Sequence, residues 1–152
     1  MSQWNDYDAN TYIFDLDGTL ALIEHRRHFV EGSIKDWDSF FAACVDDKPN
    51  YPIIKIFKNL KFSGSNMLIV SGRNESVRRQ TEWWLDKYSI VYGQLIMRPN
   101  KDHRPDHELK KMWLDTILPK KHIIAVFDDR KRVVDMWREN GIVCVQVADG
   151  NF

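Results

Sequence analysis

Two carboxylates stand two residues apart in Asp15-Leu16-Asp17-Gly18-Thr19, directly after the apolar run Tyr12-Ile13-Phe14. That spacing suits a reaction needing one ionised group and one proton donor. The first can attack phosphorus, while the second protonates the leaving oxygen and later deprotonates water. Gly18 permits a sharp turn off a strand. A calcium loop also begins D-x-D-G, but its twelfth position, where a bidentate Glu is needed, is Arg26 here. A plain polar turn is the other reading. Ser71-Gly72-Arg73 offers a hydroxyl and the amides of a strand-to-helix turn to an oxyanion, or else Ser71 or Asn74 merely caps the next helix. Adjacent Asp128 and Asp129 repel each other unless a cation or an arginine compensates them.

Lys110 lies four residues after Asp106, one turn into a helix, where it can reach a site or stay solvated. Asp106 serves equally as a helix N-cap. His25 and His28 suggest a metal, but no second ligand pair accompanies them, which argues against zinc. Trp83 falls off its helix's apolar face, available to a nucleobase or packed against the segment that follows the first strand.

These side chains need elements to bring them together. Apolar runs end abruptly in polar residues: Phe14 into Asp15, Val70 into Ser71, Met97 into Arg98, and Phe127 into Asp128-Asp129. A fifth run spans Ile142 to Val147. Such runs read as strands buried on both faces. Helical periodicity separates them, over about Glu75–Tyr88, through Leu109, Met112, Trp113, Thr116 and Ile117, and through Val133, Val134 and Trp137. The last ends at Asn140-Gly141, a left-handed cap. Alternating strands and helices imply an α/β fold with a doubly wound parallel sheet. Ligands bind such sheets at the strands' carboxyl ends, where these polar residues gather. From about 22 to 60 the alternation breaks. That interval predicts helices at Ser33–Ala43 and Pro52–Leu60, no strand, and a small cap over the sheet within a single domain.

The chain has 152 residues, and its 22 basic and 22 acidic residues balance, so no global field favours nucleic acid or membrane. Any attraction for a polyanion must be local. Apolar stretches of five or six residues are too short to span a membrane, and the first ten residues do not resemble a secretion signal. Cys44 and Cys144 stand apart without metal-ligand spacing, so reduced thiols and a cytoplasmic protein are expected.

The ordered set of motifs resembles the haloacid dehalogenase superfamily. More narrowly, it is similar to the phosphatase domain of phage polynucleotide kinase/phosphatase. The resemblance rests on Asp15 to Leu20, Ser71-Gly72-Arg73, Met97-Arg98 with Asp102, Arg104, Asp106 and Lys110, Asp128-Asp129-Arg130, Val134-x-Met136-Trp137-Arg138, and Gln146-Val147-x-x-Gly150-x-Phe152. It implies a Rossmann-like phosphatase with Asp15 as nucleophile, Asp17 as acid and base, and Ser71 and Lys110 at the phosphoryl group. It gives Thr19, Arg26, Arg73, Arg98 and Asp106 to substrate. Mg²⁺ would sit on Asp15, the Asp17 carbonyl and the Asp128/Asp129 pair, with Asp128 the first candidate.

The implied substrates are 3′-phosphate ends of DNA or RNA, or nucleoside 3′-phosphates. Lys101 and Arg104 would join Arg26 and Arg98 in a local positive patch. No G-x-x-x-x-G-K-[ST] occurs, so no kinase activity is expected, although a separate kinase or ligase partner is compatible. The rival readings are a nucleotidase acting on free mononucleotides and a non-catalytic nucleic-acid-binding relative. A receiver domain does not fit the order of the motifs.

Overall fold

The structure is a computed structural model that describes residues 9–151. Five strands form one parallel sheet: β1 (Thr11–Phe14), β4 (Asn66–Asn74), β5 (Gln94–Arg98), β6 (Ile123–Asp128) and β7 (Cys144–Gln146), in the order β5-β4-β1-β6-β7. The chain winds from β1 outward through α2 (Tyr51–Phe62), β4 and α3 (Arg78–Lys87) to β5. It then returns past β1 through α4 (Asp106–Thr116) to β6, and through α5 (Lys131–Glu139) to β7. The winding reverses at β1, so the residue that follows β1, Asp15, stands at the crevice this reversal opens.

The strands are apolar on both faces because helices cover both. Phe14, Met67, Ile69, Leu95, Met97 and Phe127 pack in one core with Ile54 and Phe57 of α2 and Trp84 and Leu85 of α3. Their neighbours Ile13, Leu68, Val70, Ile96 and Val126 face the other way, onto Leu109 and Trp113 of α4 and Val134 and Trp137 of α5. Alternation within each run sends successive side chains to different cores. Cys44 and Cys144 belong to opposite cores and are unpaired. No helix of the described residues is long and apolar enough to cross a membrane.

Several boundaries differ from the sequence expectation. The helix expected over 33–43 is shorter, α1 (Trp37–Ala42), because the Asp36 carboxylate accepts from Ser39 N at 3.0 Å and caps it there. The interval expected to lack strands contains a short antiparallel pair, β2 (Ala21–Leu22) with β3 (Lys48–Pro49). Two residues are too few to show a period-2 pattern. β4 runs on past Ser71 to Asn74, with its register against β5 slipping between those residues. Ser71-Gly72-Arg73 therefore lies in an irregular strand end, the kind of place where a side chain is re-aimed.

The helix expected over 75–88 begins as a 3-10 turn, Glu75–Val77, capped by Asn74, and becomes α-helical at Arg78. On α4 the buried face is Leu109, Lys110, Trp113 and Leu114, while Thr116 and Ile117 are exposed. Lys110 thus lies on the buried face, beside Leu109 and Trp113 of the expected stripe. Gly141 has φ +77°, as expected of a left-handed cap after Asn140.

Candidate active site

The loop after β1 is tight. Asp15 N donates to Phe127 O at 2.9 Å, Gly18 N to Ala21 O at 2.8 Å, and Ala21 N to Leu16 O at 2.9 Å. Gly18 has φ +80°, and a β-carbon there would collide with the Asp129 carboxylate. The turn thus needs glycine twice, for its backbone and for the carboxylate pressed against it. Thr19 is fully buried, and its hydroxyl has no hydrogen-bond partner among the described residues.

On one side of this loop lies an acidic pocket. Lys110 Nζ donates to Asp15 Oδ1 at 2.9 Å and to Asp128 Oδ2 at 2.8 Å. Asp128 Oδ1 accepts from the Asp129 and Arg130 amides at 2.9 and 3.3 Å. Carboxylate oxygens of Asp15, Asp128 and Asp129 lie within 4.8 Å of one another, all from buried residues. Burial and then the Asp128 charge raise the Asp15 carboxyl well above its ordinary range, against the pull of Lys110. The same two causes push Asp129 up to about 6. Burial opposes the charge on Lys110, but Asp128 and Asp15 more than offset it and hold the ammonium protonated.

Lys110 pairs with Asp15 and Asp128, and Asp129 adds a third carboxyl group, so the pocket is short of positive charge. A hard divalent cation with oxygen ligands fits that donor set. Asp17 contributes no carboxylate oxygen to the cluster; the sequence reading gives it a carbonyl ligand only.

On the other side the polarity is reversed. Asp17 Oδ1 accepts from Arg26 Nη2 at 2.7 Å and from Arg73 Nε at 2.8 Å. Both arginines are fully buried and both also bond to Asp47, Arg26 as a fork through Nε and Nη2 and Arg73 through Nη2 alone, each at 2.7 Å. Arg73 Nη1 donates to Thr81 Oγ1, and Arg26 Nη1 to Phe40 O with its guanidinium 4.3 Å above the Phe40 ring. Burial would raise the Asp17 carboxyl, but Arg73 and Arg26 outweigh it and lower it to about 2. The sequence reading gives both arginines to substrate. In the structure their donors are engaged by Asp17 and Asp47, so neither is a solvated rim arginine.

Asp47 is the residue that sequence reasoning missed. It is buried at the end of the excursion between β2 and β3, also paired with His25 at 2.7 Å, and its carbonyl accepts from Trp84 Nε1 at 2.8 Å. No local spacing marks it. The available signal was indirect: two arginines drawn into a core require a buried carboxylate between them.

Ser71 is buried beside these groups, its Oγ accepting from Arg73 N at 3.1 Å. Arg98 ends β5 as expected, but its guanidinium is spent on Gly72 O, Asp102 O, Arg104 O and the Asp106 carboxylate. Asp106 also accepts from Arg130 Nη1 at 3.1 Å, and it is the first residue of α4, not its N-cap. A β-carbon on Gly72 would come within 2.6 Å of Asp106 Oδ1, so the glycine gives that carboxylate its seat. Arg104 pairs with Asp102, which reduces the expected positive patch. Trp83 lies outside this constellation, 51% exposed, with Lys87 Nζ 5.1 Å from its ring centre. Phe152 lies outside the described residues.

Comparison with known proteins fits this arrangement. The family model for the phosphatase domain of polynucleotide kinase PNKP matches residues 9–152. A protein of Autographa californica nuclear polyhedrosis virus, assigned as a bifunctional polynucleotide kinase/RNA ligase, is 36% identical over 128 residues. That match covers 82% of this chain and 17% of the viral protein. A chain of the Pnkp1/Rnl/Hen1 complex superimposes with TM-score 0.80 at 35% identity, covering 94% of this chain and 47% of that one. A hydrolase from Streptococcus pneumoniae TIGR4 shares the fold, with TM-score 0.58 at 16% identity over 93% of this chain and 94% of that one. The chain thus spans under half the length of its first two relatives. The chain belongs to the PNKP phosphatase-domain family of haloacid dehalogenase-type phosphatases, whose chemistry is the hydrolysis of phosphoesters.

Proposed function

We propose that the chain is a Mg²⁺-dependent phosphatase that removes 3′-phosphates from nucleic-acid ends. The observation that carries the chemistry is geometric: at the crevice end of β1, Asp15 sits on Lys110 beside the acidic pair, and Asp17, two residues on, sits between two buried arginines. Asp15, beside Lys110, attacks phosphorus and forms an aspartyl-phosphate. Asp17, held between Arg26 and Arg73, handles the proton, giving one to the leaving oxygen and then taking one from water. Arg26 and Arg73 favour the ionised form of Asp17 in the free protein, so Asp17 takes up the proton it donates once the dianionic phosphate has entered.

Ser71 and Lys110 offset charge on the phosphoryl oxygens. Thr19, whose buried hydroxyl has no partner, is available to donate there as well. Asp15, the Asp17 carbonyl, Asp128 and Asp129 would hold Mg²⁺, which when bound neutralises charge on the transferring group. Arg26, Arg73, Arg98 and Asp106 act on the substrate through the groups they orient. Residues 22–60 include the cap, tied to the core by Asp47, so one domain carries the whole site.

The choice of a polynucleotide end follows from family membership and from the relatives, named as a polynucleotide kinase/RNA ligase and as part of an RNA repair complex. By the same analogy the chain works beside a separate kinase or ligase, and the lack of a G-x-x-x-x-G-K-[ST] motif supports the reading that these residues do not themselves phosphorylate. The test is phosphate release at neutral pH, with and without Mg²⁺, from matched oligonucleotides carrying a 3′- or a 5′-phosphate. Mg²⁺-dependent release from the 3′ end alone is expected. Equal or faster release from mononucleotides would replace the substrate with free nucleotides, and no release from any of them would remove the catalytic reading.

A further inference from the structure

The segment Gln146–Gly150 belongs to a motif that the chemistry above does not use. It lies against the turn that carries the acidic pair. Val147 N donates to Asp128 O at 3.0 Å, and Gln146 Nε2 donates to Asp129 O at 3.1 Å. Gly150 O accepts from Lys131 N at 2.7 Å, at the start of α5. The backbone of the acidic turn is therefore gripped at three points by a segment distant in sequence. Gly150 is buried, and a β-carbon there would collide with the Asp129 carbonyl oxygen and come within 2.8 Å of its carbon and 2.9 Å of Arg130 Cα. Asp129 is thus held between two glycines, with Gly18 against its carboxylate and Gly150 against its carbonyl.

We infer that Gln146 and Gly150 are positioning residues for the metal-binding carboxylates, acting through the Asp128-Asp129 backbone. This rests on the reading of the acidic pocket as a Mg²⁺ site. Asp128 is paired with Lys110, whereas no salt bridge holds the Asp129 carboxylate among the described residues, so the grip on its backbone bears on where that carboxylate sits. A β-carbon at 150 would push the Asp129 carbonyl away and swing the carboxylate with it. Loss of the Gln146 donor would release the same carbonyl on its other side. Small displacements matter here because Mg²⁺ demands near-ideal octahedral geometry.

The test uses Gly150→Ala and Gln146→Met, the second keeping length and bulk but removing the donor. Two readouts are taken: the Mg²⁺ concentration at the midpoint of the Mg²⁺-induced rise in Tm, and Mn²⁺ affinity by electron paramagnetic resonance. Both variants are expected to weaken metal binding by about 10-fold or more, the usual scale for a group that orients a ligand. Ile54→Ala, a core truncation on the opposite face of the sheet, lowers Tm but leaves both metal readouts at wild-type values. If Gly150→Ala does not fold, Gln146→Met decides. Variants that bind Mg²⁺ and Mn²⁺ as wild type does, whatever their Tm, would overturn the positioning role. Wild-type protein that binds neither ion would overturn the metal reading itself, and this inference with it.

Discussion

Asp15 and Asp17 leave the same strand on the same turn, yet their carboxyl groups have opposite fates. Asp15 sits among carboxylates and shares one lysine with Asp128, so burial and repulsion raise it. Asp17 sits between two guanidiniums, so it is lowered to about 2 in spite of burial. The acidic pocket is short of positive charge and invites a cation. The arginine pocket closes on itself, because Asp47 supplies the second carboxylate that two buried arginines need. The comparison teaches that a D-x-D motif is two sites back to back, and that each takes its character from what the rest of the fold brings to it.

The largest effect should come from removing the residue that completes the arginine pocket. Asp47→Ala leaves Arg26 and Arg73 in the core with Asp17 as their remaining carboxylate. It should cost about 3–5 kcal/mol in urea unfolding, the usual loss on breaking a buried ion pair. It should also abolish phosphate release by letting Asp17 drift. An unaltered unfolding midpoint would mean that the two pockets are not held as different as their geometry suggests.

A somewhat smaller effect separates the two carboxylates directly. Asp17→Asn should destabilise the metal-free protein by about 2–3 kcal/mol, because its lowered pKa measures how strongly the fold favours the charged form. Asp15→Asn should leave stability unchanged or higher, since an amide relieves repulsion in the acidic pocket. Both variants should lose turnover. Equal stability losses in the two would break the comparison.

The smallest effect is one of pH. An unfolded aspartate titrates at about 4. Asp129, raised to about 6, contributes stability that is fully present below the unfolded value and is lost as pH rises through 6. Asp17, lowered to about 2, contributes stability present above the unfolded value and lost as pH falls through 2. Protein stripped of metal should therefore be most stable near pH 4, and adding Mg²⁺ should remove the decline between about pH 4 and 6. Unfolding curves across pH, with EDTA or Mg²⁺, would check it. A decline unaffected by Mg²⁺ would mean that the raised carboxyl is not where the ion binds.

Much of this architecture was legible. The runs ending at Phe14, Met97 and Phe127 mark strand ends to within one residue, because a parallel sheet buried on both faces needs uninterrupted apolar residues, whereas β4 runs on from Val70 to Asn74. The polar residues that stop those runs are the ones found on the rim. The β2–β3 pair was not legible, being too short for any pattern. Nor was all of the α4 face: Leu109, Met112 and Trp113 of the expected stripe meet the core, but Thr116 and Ile117 are exposed and Lys110 and Leu114 are buried. The arginines were legible as site residues; their bonds to the protein's own carboxylates and carbonyls, made by Arg26, Arg73 and Arg98 alike, were not.

By itself the sequence determined the α/β class, the strand ends and the chemical types gathered at them, because burial and backbone geometry act over short stretches of chain. Only the tertiary structure decided which charge meets which. Lys110 reaches Asp15 from 95 residues away, and Asp47 reaches Arg73 from 26 residues away on the other side of the site. Coulomb energy depends on distance through space and on exclusion of water, and neither is written in the spacing of residues along the chain.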